Sequence, residues 1–256
     1  LADIGINVLA GFRAEHLLPR PDLVVIGNAV SRNNPEAEAV LKQGIDYISF
    51  PQALGRFLIG ARSSLVVSGT HGKTTTSALA AWVLTSAGLD PGFFVGGVPV
   101  NFASGWNAGS GEHVVLKGDE YDTAFFDKGP KFLHYRPQHV ILTSVEFDHA
   151  DIYRDLDHVK SAFAKLIDII PADGSLVVCS DYPDAVAVSR AVKASSVSYG
   201  ESGDWTAKNL SFDQGRSFFE PCFKGRSEGV VEAAVIGRHN VKNALAVYVM
   251  GRTLGI

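Results

Sequence analysis

Residues 66–76 read Val-Val-Ser-Gly-Thr-His-Gly-Lys-Thr-Thr-Thr, an apolar strand that enters a glycine-bracketed turn and leaves it directly as a helix. No other stretch restricts the fold as much. Strand, turn and helix in that order gather backbone N–H groups and the positive end of a helix around one point, which suits a polyphosphate. In such a turn a lysine reaches the outer phosphates and a threonine hydroxyl reaches a magnesium ion. The stretch therefore reads as an ATP cradle made of Gly69, Thr70, His71, Gly72, Lys73, Thr74 and Thr75, with Mg2+ held at Thr74. It is a shortened variant, because the usual pattern has a glycine five residues before Gly72, where this chain has Val67.

The preceding residues alternate strand and helix. Asp22 to Gly27 is a short strand, Asn34-Pro35-Glu36 starts a helix that runs to about Gln43, Ile45 to Ser49 is a second strand, and Pro51 opens a helix to about Ile59. That order predicts parallel strands with right-handed crossovers. Downstream, strands are expected at 64–68, 113–116, 139–142 and 176–179, and helices at 74–87, 156–169, 182–192 and 240–254, with hairpins between 205 and 235. The fold class is α/β: a partial Rossmann-like region over residues 1–60, then a phosphate-loop domain over 61–256 with a mainly parallel sheet and a small antiparallel portion.

Two further strands end in acids. Val114-Val-Leu-Lys-Gly delivers Asp119, Glu120 and Asp122, and Ile141-Leu-Thr-Ser-Val delivers Glu146, Asp148 and His149. Ligands of open α/β sheets collect at the carboxyl ends of strands, so the two clusters and the phosphate loop are expected to form one site. Magnesium takes oxygen ligands and keeps several waters, so a threonine hydroxyl with one or two carboxylates would suffice.

Composition excludes several alternatives. With a net charge of −4 over 256 residues, nothing argues for a nucleic-acid or membrane-surface partner. No apolar run approaches the roughly 18 residues of a membrane span. Cys179 and Cys222 are too few for a disulfide framework and read as free thiols, which makes a reducing cytoplasm the expected location. Trp205, Phe218 and Phe219 read as packing residues.

Four segments, in order, resemble the motifs of the Mur ligases: Gly69 to Thr76, Asp119-Glu-Tyr-Asp-Thr-Ala-Phe-Phe-Asp-Lys128, Glu146-Phe-Asp-His-Ala-Asp-Ile-Tyr153 and Gly237-Arg-His-Asn-Val-Lys-Asn-Ala-Leu-Ala246. The second and third are most similar to the branch that joins a recycled murein tripeptide to UDP-N-acetylmuramate. The resemblance implies an ATP-dependent amide-bond ligase working through an acyl phosphate, with those two compounds as partners. The biosynthetic branch, which adds L-alanine alone, is the near alternative.

By position in those motifs, Lys73 would stabilise the transferring phosphoryl group, and His149 would sit at a second metal site. Glu120 would serve as a further metal ligand, and Asn240 and Asn243 would lie near the adenine. Tyr121, Asp122, Asp127 and Lys128 would contact substrate. Asn28 and Ser31 precede the first helix; Ser31 and Asn34 read equally as helix caps or as sugar-nucleotide contacts.

The resemblance also implies a three-domain protein, of which this chain reads as a fragment lacking the opening of the first domain and all of the third. Three departures stand out. Lys117 occupies the place of a magnesium-binding glutamate, so either its ammonium partly replaces the metal or it repels it, leaving a nucleotide-binding module with impaired catalysis. Gly129 replaces an arginine and Thr143-Ser144 an asparagine pair, which bears on peptide contacts. Lys165, near the site of a carbamylated lysine in some relatives, reads as a solvated helix lysine.

Overall fold

The computed structural model of the protein describes residues 5–148 and 152–256. Near its N-terminus, β1 (Val24–Ile26) and β2 (Tyr47–Ser49) pair in parallel around α1 (Pro35–Gln43), over a small core of Leu17, Ala39, Val40 and Ile45. Asn34 caps α1 by accepting from the N–H groups of Glu36 and Ala37. Ser31 does not cap it; its carbonyl accepts from Asn34 N–H, and its side chain is exposed.

The helix after β2 starts as expected but changes character. Ser49 and Gln52 form a reciprocal capping box on α2 (Phe50–Ala53), and the chain then continues as a π-helix over Leu54–Ile59. Gly55 lies in this wider turn, where a Cβ would collide with the His134 carbonyl and where Arg136 donates to the Gly55 carbonyl. Wide turns of this kind are rare and occur mostly as single turns within α-helices.

The large sheet holds the phosphate loop. Its strands are β3 (Ser63–Ser68), β4 (Gly92–Phe94), β5 (Trp106–Asn107), β6 (His113–Gly118), β9 (Pro137–Leu142), β10 (Ser175–Cys179), β11 (Ser195–Tyr199), β12 (Trp205–Asp213), β13 (Arg216–Phe223), β14 (Arg226–Ser227) and β15 (Val231–Ala233). A separate hairpin of β7 (Asp122–Ala124) and β8 (Asp127–Pro130) follows β6. The spatial order is β5-β4-β6-β3-β9-β10-β11-β12-β13-β14, with β15 beside β13. β4, β6, β3, β9, β10 and β11 run parallel, while β12 to β15 form the antiparallel portion. The sequence pattern did not reveal β4, β5, the β7–β8 hairpin or β11, which are short or carry no apolar alternation.

Period-two alternation sorts the strands onto two cores. Leu65, Val67, Val115 and Ile141 face α3 (Lys73–Ser86) and α6 (Arg238–Thr253), whereas Val66, Leu116, Val140 and Leu142 face α4 (Leu156–Asp168). These central strands are apolar on both faces, as parallel strands covered by helices must be. At about 1.5–3 kcal/mol per buried aliphatic side chain, this double core fixes where β3 ends, and so where the loop begins. The helix expected to reach Val192 is shorter, α5 (Pro183–Ser189), and Trp205 and Phe219 are core residues as expected. Among the described residues no helix is long and apolar enough to cross a membrane.

Candidate functional site

β3 lies between β6 and β9, with Ser68 in register with Gly118 on one side and Leu142 on the other. The phosphate loop and the two acidic segments therefore leave the sheet side by side, as the strand ends predict. Gly69 has φ +133° and Gly72 has φ +81°, conformations that L side chains rarely adopt, and they let the chain double back before α3 starts at Lys73. Lys73 folds into the loop it follows. Its ammonium donates to the carbonyls of Gly69 (2.6 Å) and Thr70 (3.1 Å) and lies 2.9–3.0 Å from both carboxylate oxygens of Glu120. The two side chains are 7% and 2% exposed, so this is a buried ion pair. Thr74 is exposed on the first turn and Thr75 half-buried.

The loop is braced from β9. Thr143 donates its hydroxyl to the carbonyls of Ser68 (3.2 Å) and His71 (2.5 Å), and Ser144 Oγ accepts from His71 N–H (2.9 Å). Thr70 Oγ1 accepts from Glu146 N–H and donates to its carbonyl, and the His71 ring lies 3.5 Å from the Glu146 carboxylate. Thr143 and Ser144 thus serve the phosphate loop, a role their residue types alone did not suggest. Thr143→Val in the full-length protein is expected to cost about 1 kcal/mol, the net value of one hydroxyl hydrogen bond shared between two carbonyls, and to weaken ATP binding. Urea denaturation and nucleotide titration check this; unchanged stability and affinity would dismiss the brace.

Asn240 and Asn243 open α6, and Asn243 reaches the loop: a Cβ on Gly72 would lie 2.7 Å from its Oδ1. Asn240 Oδ1 accepts from Asn243 Nδ2 at 3.3 Å, while its own amide donates to the Ile236 carbonyl. The other expected residues separate. Asp122 pairs with Lys128 (2.9 Å) across the β7–β8 hairpin, and Asp127 pairs with His134 (2.6 Å). Tyr121 stays with the loop, its ring centroid 5.9 Å from the Lys73 ammonium and 5.5 Å from that of Lys131. His149 lies outside the described residues.

Lys117 emerges on the α3 side of β6, with the parity of Val115. Its ammonium lies 3.1 Å from Asp119 Oδ1, and Lys131 lies 3.6 Å from Asp119 Oδ2. These groups share a small cavity of about 130 Å³ with Asn28, Gly96 and Tyr135. Burial, and then the charge of Asp119, hold the Tyr135 phenol well above its ordinary range, so it stays neutral. Tyr153, whose phenol burial also pushes up, donates to the Glu120 carbonyl at 2.6 Å. Tyr153 closes the third motif, but nothing in that motif shows that its hydroxyl serves the Glu120 carbonyl, and Lys131 lies outside the motifs.

Among the described residues no three carboxylates, imidazoles or thiols converge to hold a metal. A nucleotide-borne magnesium needs less, because phosphate oxygens and water complete its shell. Thr74 supplies an exposed hydroxyl at the start of α3, and Glu120 supplies a carboxylate already engaged by Lys73.

A family model described as the Mur ligase middle domain matches residues 124–251, half of the chain, and a second, the Mur ligase family catalytic domain, matches residues 1–62. The chain belongs to the Mur ligase family. It is 42% identical over 253 residues to the UDP-N-acetylmuramate–L-alanyl-gamma-D-glutamyl-meso-2,6-diaminoheptandioate ligase of Escherichia coli (strain K12), covering 98% of this chain and 55% of that protein. It is 34% identical to the UDP-N-acetylmuramate–L-alanine ligase of Syntrophotalea carbinolica, covering 100% and 54%. The solved UDP-N-acetylmuramate:L-alanyl-gamma-D-glutamyl-meso-diaminopimelate ligase from Neisseria meningitides superposes with a TM-score of 0.92 at 38% identity, covering 100% of this chain and 82% of that one. The chain spans about half the length of the curated relatives it matches. Lys117, where the resemblance implies a magnesium-binding glutamate, lies 3.1 Å from Asp119 Oδ1.

Proposed function

We propose that the protein is an ATP-dependent ligase that joins L-alanyl-γ-D-glutamyl-meso-diaminopimelate to UDP-N-acetylmuramate in peptidoglycan recycling. The observation that carries this reading is the buried Lys73 inside a glycine-bracketed loop, braced by Thr143 and Ser144 and set beside Glu120. The tripeptide is favoured over free L-alanine because identity is 42% to the tripeptide ligase of Escherichia coli and 34% to the alanine ligase of Syntrophotalea carbinolica. Residues 1–60 would hold the UDP-sugar, with Asn28 at its edge, and residues 61–256 the ATP.

The chemistry runs in two steps. The muramate carboxylate attacks the γ-phosphorus, forming an acyl phosphate and releasing ADP; the L-alanine amine then attacks the acyl carbon, forming the amide and releasing phosphate. The loop's N–H groups and the start of α3 would hold the nucleotide, and the Lys73 ammonium would meet the charge that develops on the transferring phosphoryl oxygens. Thr74 would hold a magnesium ion carried with the nucleotide, which would neutralise charge at the phosphates. Asn240 and Asn243, at the loop's outer edge, would approach the base, and Tyr121 would border the acceptor side of Lys73. Cytoplasmic placement is in keeping with the free thiols of Cys179 and Cys222.

The test uses the full-length protein with ATP, magnesium and UDP-N-acetylmuramate, following ADP release and the UDP-linked product. Turnover is expected with the tripeptide and to be at least about tenfold slower with L-alanine, because a site built for a longer acceptor loses contacts with a truncated one. Preference for L-alanine would assign the biosynthetic reaction instead.

A further inference from the structure

The cavity beside β6 carries more cation than its neighbours neutralise. Among the described residues Lys117 and Lys131 share a single carboxylate, Asp119, at 3.1 and 3.6 Å, and Tyr135 is neutral, so one positive charge is left over there. The Lys117–Asp119 contact is electrostatic only: Asp119 Oδ1 is buried and accepts no hydrogen bond among the described residues. The ammonium hydrogens of Lys117 are therefore not committed to it. The remaining wall comes from Gly27, Asn28, Phe50, Pro51, Phe94 and Gly96. The lysine runs against Gly96, where a Cβ would sit in ordinary contact 3.5 Å from its Nζ, and a Cβ on the adjacent Gly97 would lie 3.7 Å from the Thr74 methyl.

We infer that Lys117, with Lys131 behind it, is a seat for the carboxylate of the acid substrate, holding it by a fixed ammonium between the sugar-nucleotide side and the phosphate loop. The inference rests on the function proposed above. The volume, about 130 Å³, suits an end group such as a carboxylate and excludes a whole nucleotide. An ammonium with unspent donors recognises an oxyanion through charge-assisted hydrogen bonds. Asn28 lines the same cavity, and an asparagine amide is a residue type that can donate to a carboxylate. Lys117 is thus a specificity residue for acid over neutral sugar nucleotide.

The test measures binding to the full-length protein in magnesium-free buffer by calorimetry. Its ligands are UDP-N-acetylmuramate, UDP-N-acetylglucosamine (the same nucleotide sugar with a free hydroxyl in place of the 3-O-lactyl group and its carboxylate) and ATP. Wild type is expected to prefer the acid by about ten- to a hundredfold, the worth of a charged hydrogen bond. Lys117→Met should abolish that preference and leave the neutral sugar nucleotide within about twofold, while Lys117→Arg should retain most of it. Equal weakening of both sugar nucleotides, or an unchanged preference in Lys117→Met, overturns the inference while leaving the proposed reaction intact. Weakening of ATP alone assigns the seat to a nucleotide phosphate and also overturns it. Failure of wild type to bind either sugar nucleotide defeats both the seat and the reaction.

Discussion

Lys73→Met in the full-length protein is expected to lower the rate of ADP formation by about a thousandfold or more, the range seen when a preorganised cation is removed from a phosphoryl-transfer site. The same substitution should destabilise the fold, for a separate reason. Lys73 and Glu120 are 7% and 2% exposed, and their partnership joins the start of α3 to the segment after β6. Removing one member of a buried pair leaves the other charged in a poorly solvated place, at a cost of about 3–5 kcal/mol. Replacing both, as Lys73→Met with Glu120→Gln, should recover much of that stability, because an uncharged pair of similar volume has little desolvation to offset. It should recover none of the turnover. Urea denaturation of the wild type, both single variants and the double variant gives the coupling between the pair directly. Additive losses would show that Lys73 and Glu120 do not act as a pair, and near wild-type turnover in Lys73→Met would remove the lysine from the reaction.

The double role proposed for Lys73 bears on which parts of the site could be read from the sequence. Strand, glycine, lysine and threonine in that order determine local geometry, so Ser63 to Thr76 folds as its pattern predicts. Asp119 and Glu120 were legible as a strand end pointing at the loop, because parallel strands share one carboxyl edge. The partner of Glu120 was not legible: the motif assigns its carboxylate to a metal, whereas the fold brings it to the Lys73 ammonium across 47 residues of sequence. Thr143 and Ser144 pose the same difficulty, since a hydroxyl can serve many acceptors and only the β3–β9 register determines that theirs belong to Ser68 and His71. Asp122, Asp127 and Lys128 looked like substrate contacts while β7 and β8 were invisible; once the hairpin exists, Asp122 and Lys128 face each other and His134 meets Asp127. The π turn at Leu54–Ile59 packs Gly55 against the His134 carbonyl, a contact that no local propensity encodes.

Gly69→Ala is the substitution expected to harm the loop most without touching any charged group. At φ +133° an alanine is strained by about 1–3 kcal/mol before any contact is considered. Its Cβ would then collide with Thr143 Oγ1 and lie 2.7 Å from the Ser144 nitrogen and 2.8 Å from the Ser144 carbonyl oxygen. Two of those three atoms are backbone of the segment that continues β9, so they cannot rotate away. Overpacking of that kind adds about 1–3 kcal/mol. Because the colliding segment carries the bonds from Ser144 to Thr70 and His71, relief comes only by displacing the loop from β9. ATP affinity should therefore fall together with stability. Gly72→Ala provides the comparison: its φ is also positive, at +81°, but the atom in the way is Asn243 Oδ1, 2.7 Å off at the end of a side chain that can turn. The milder variant should lose less stability and keep measurable ATP binding. Adding Thr143→Ala to Gly69→Ala should not restore the loop, since both Ser144 contacts remain. A Gly69→Ala protein that binds ATP and unfolds as wild type does would mean that the loop does not need the close approach of β3 to β9.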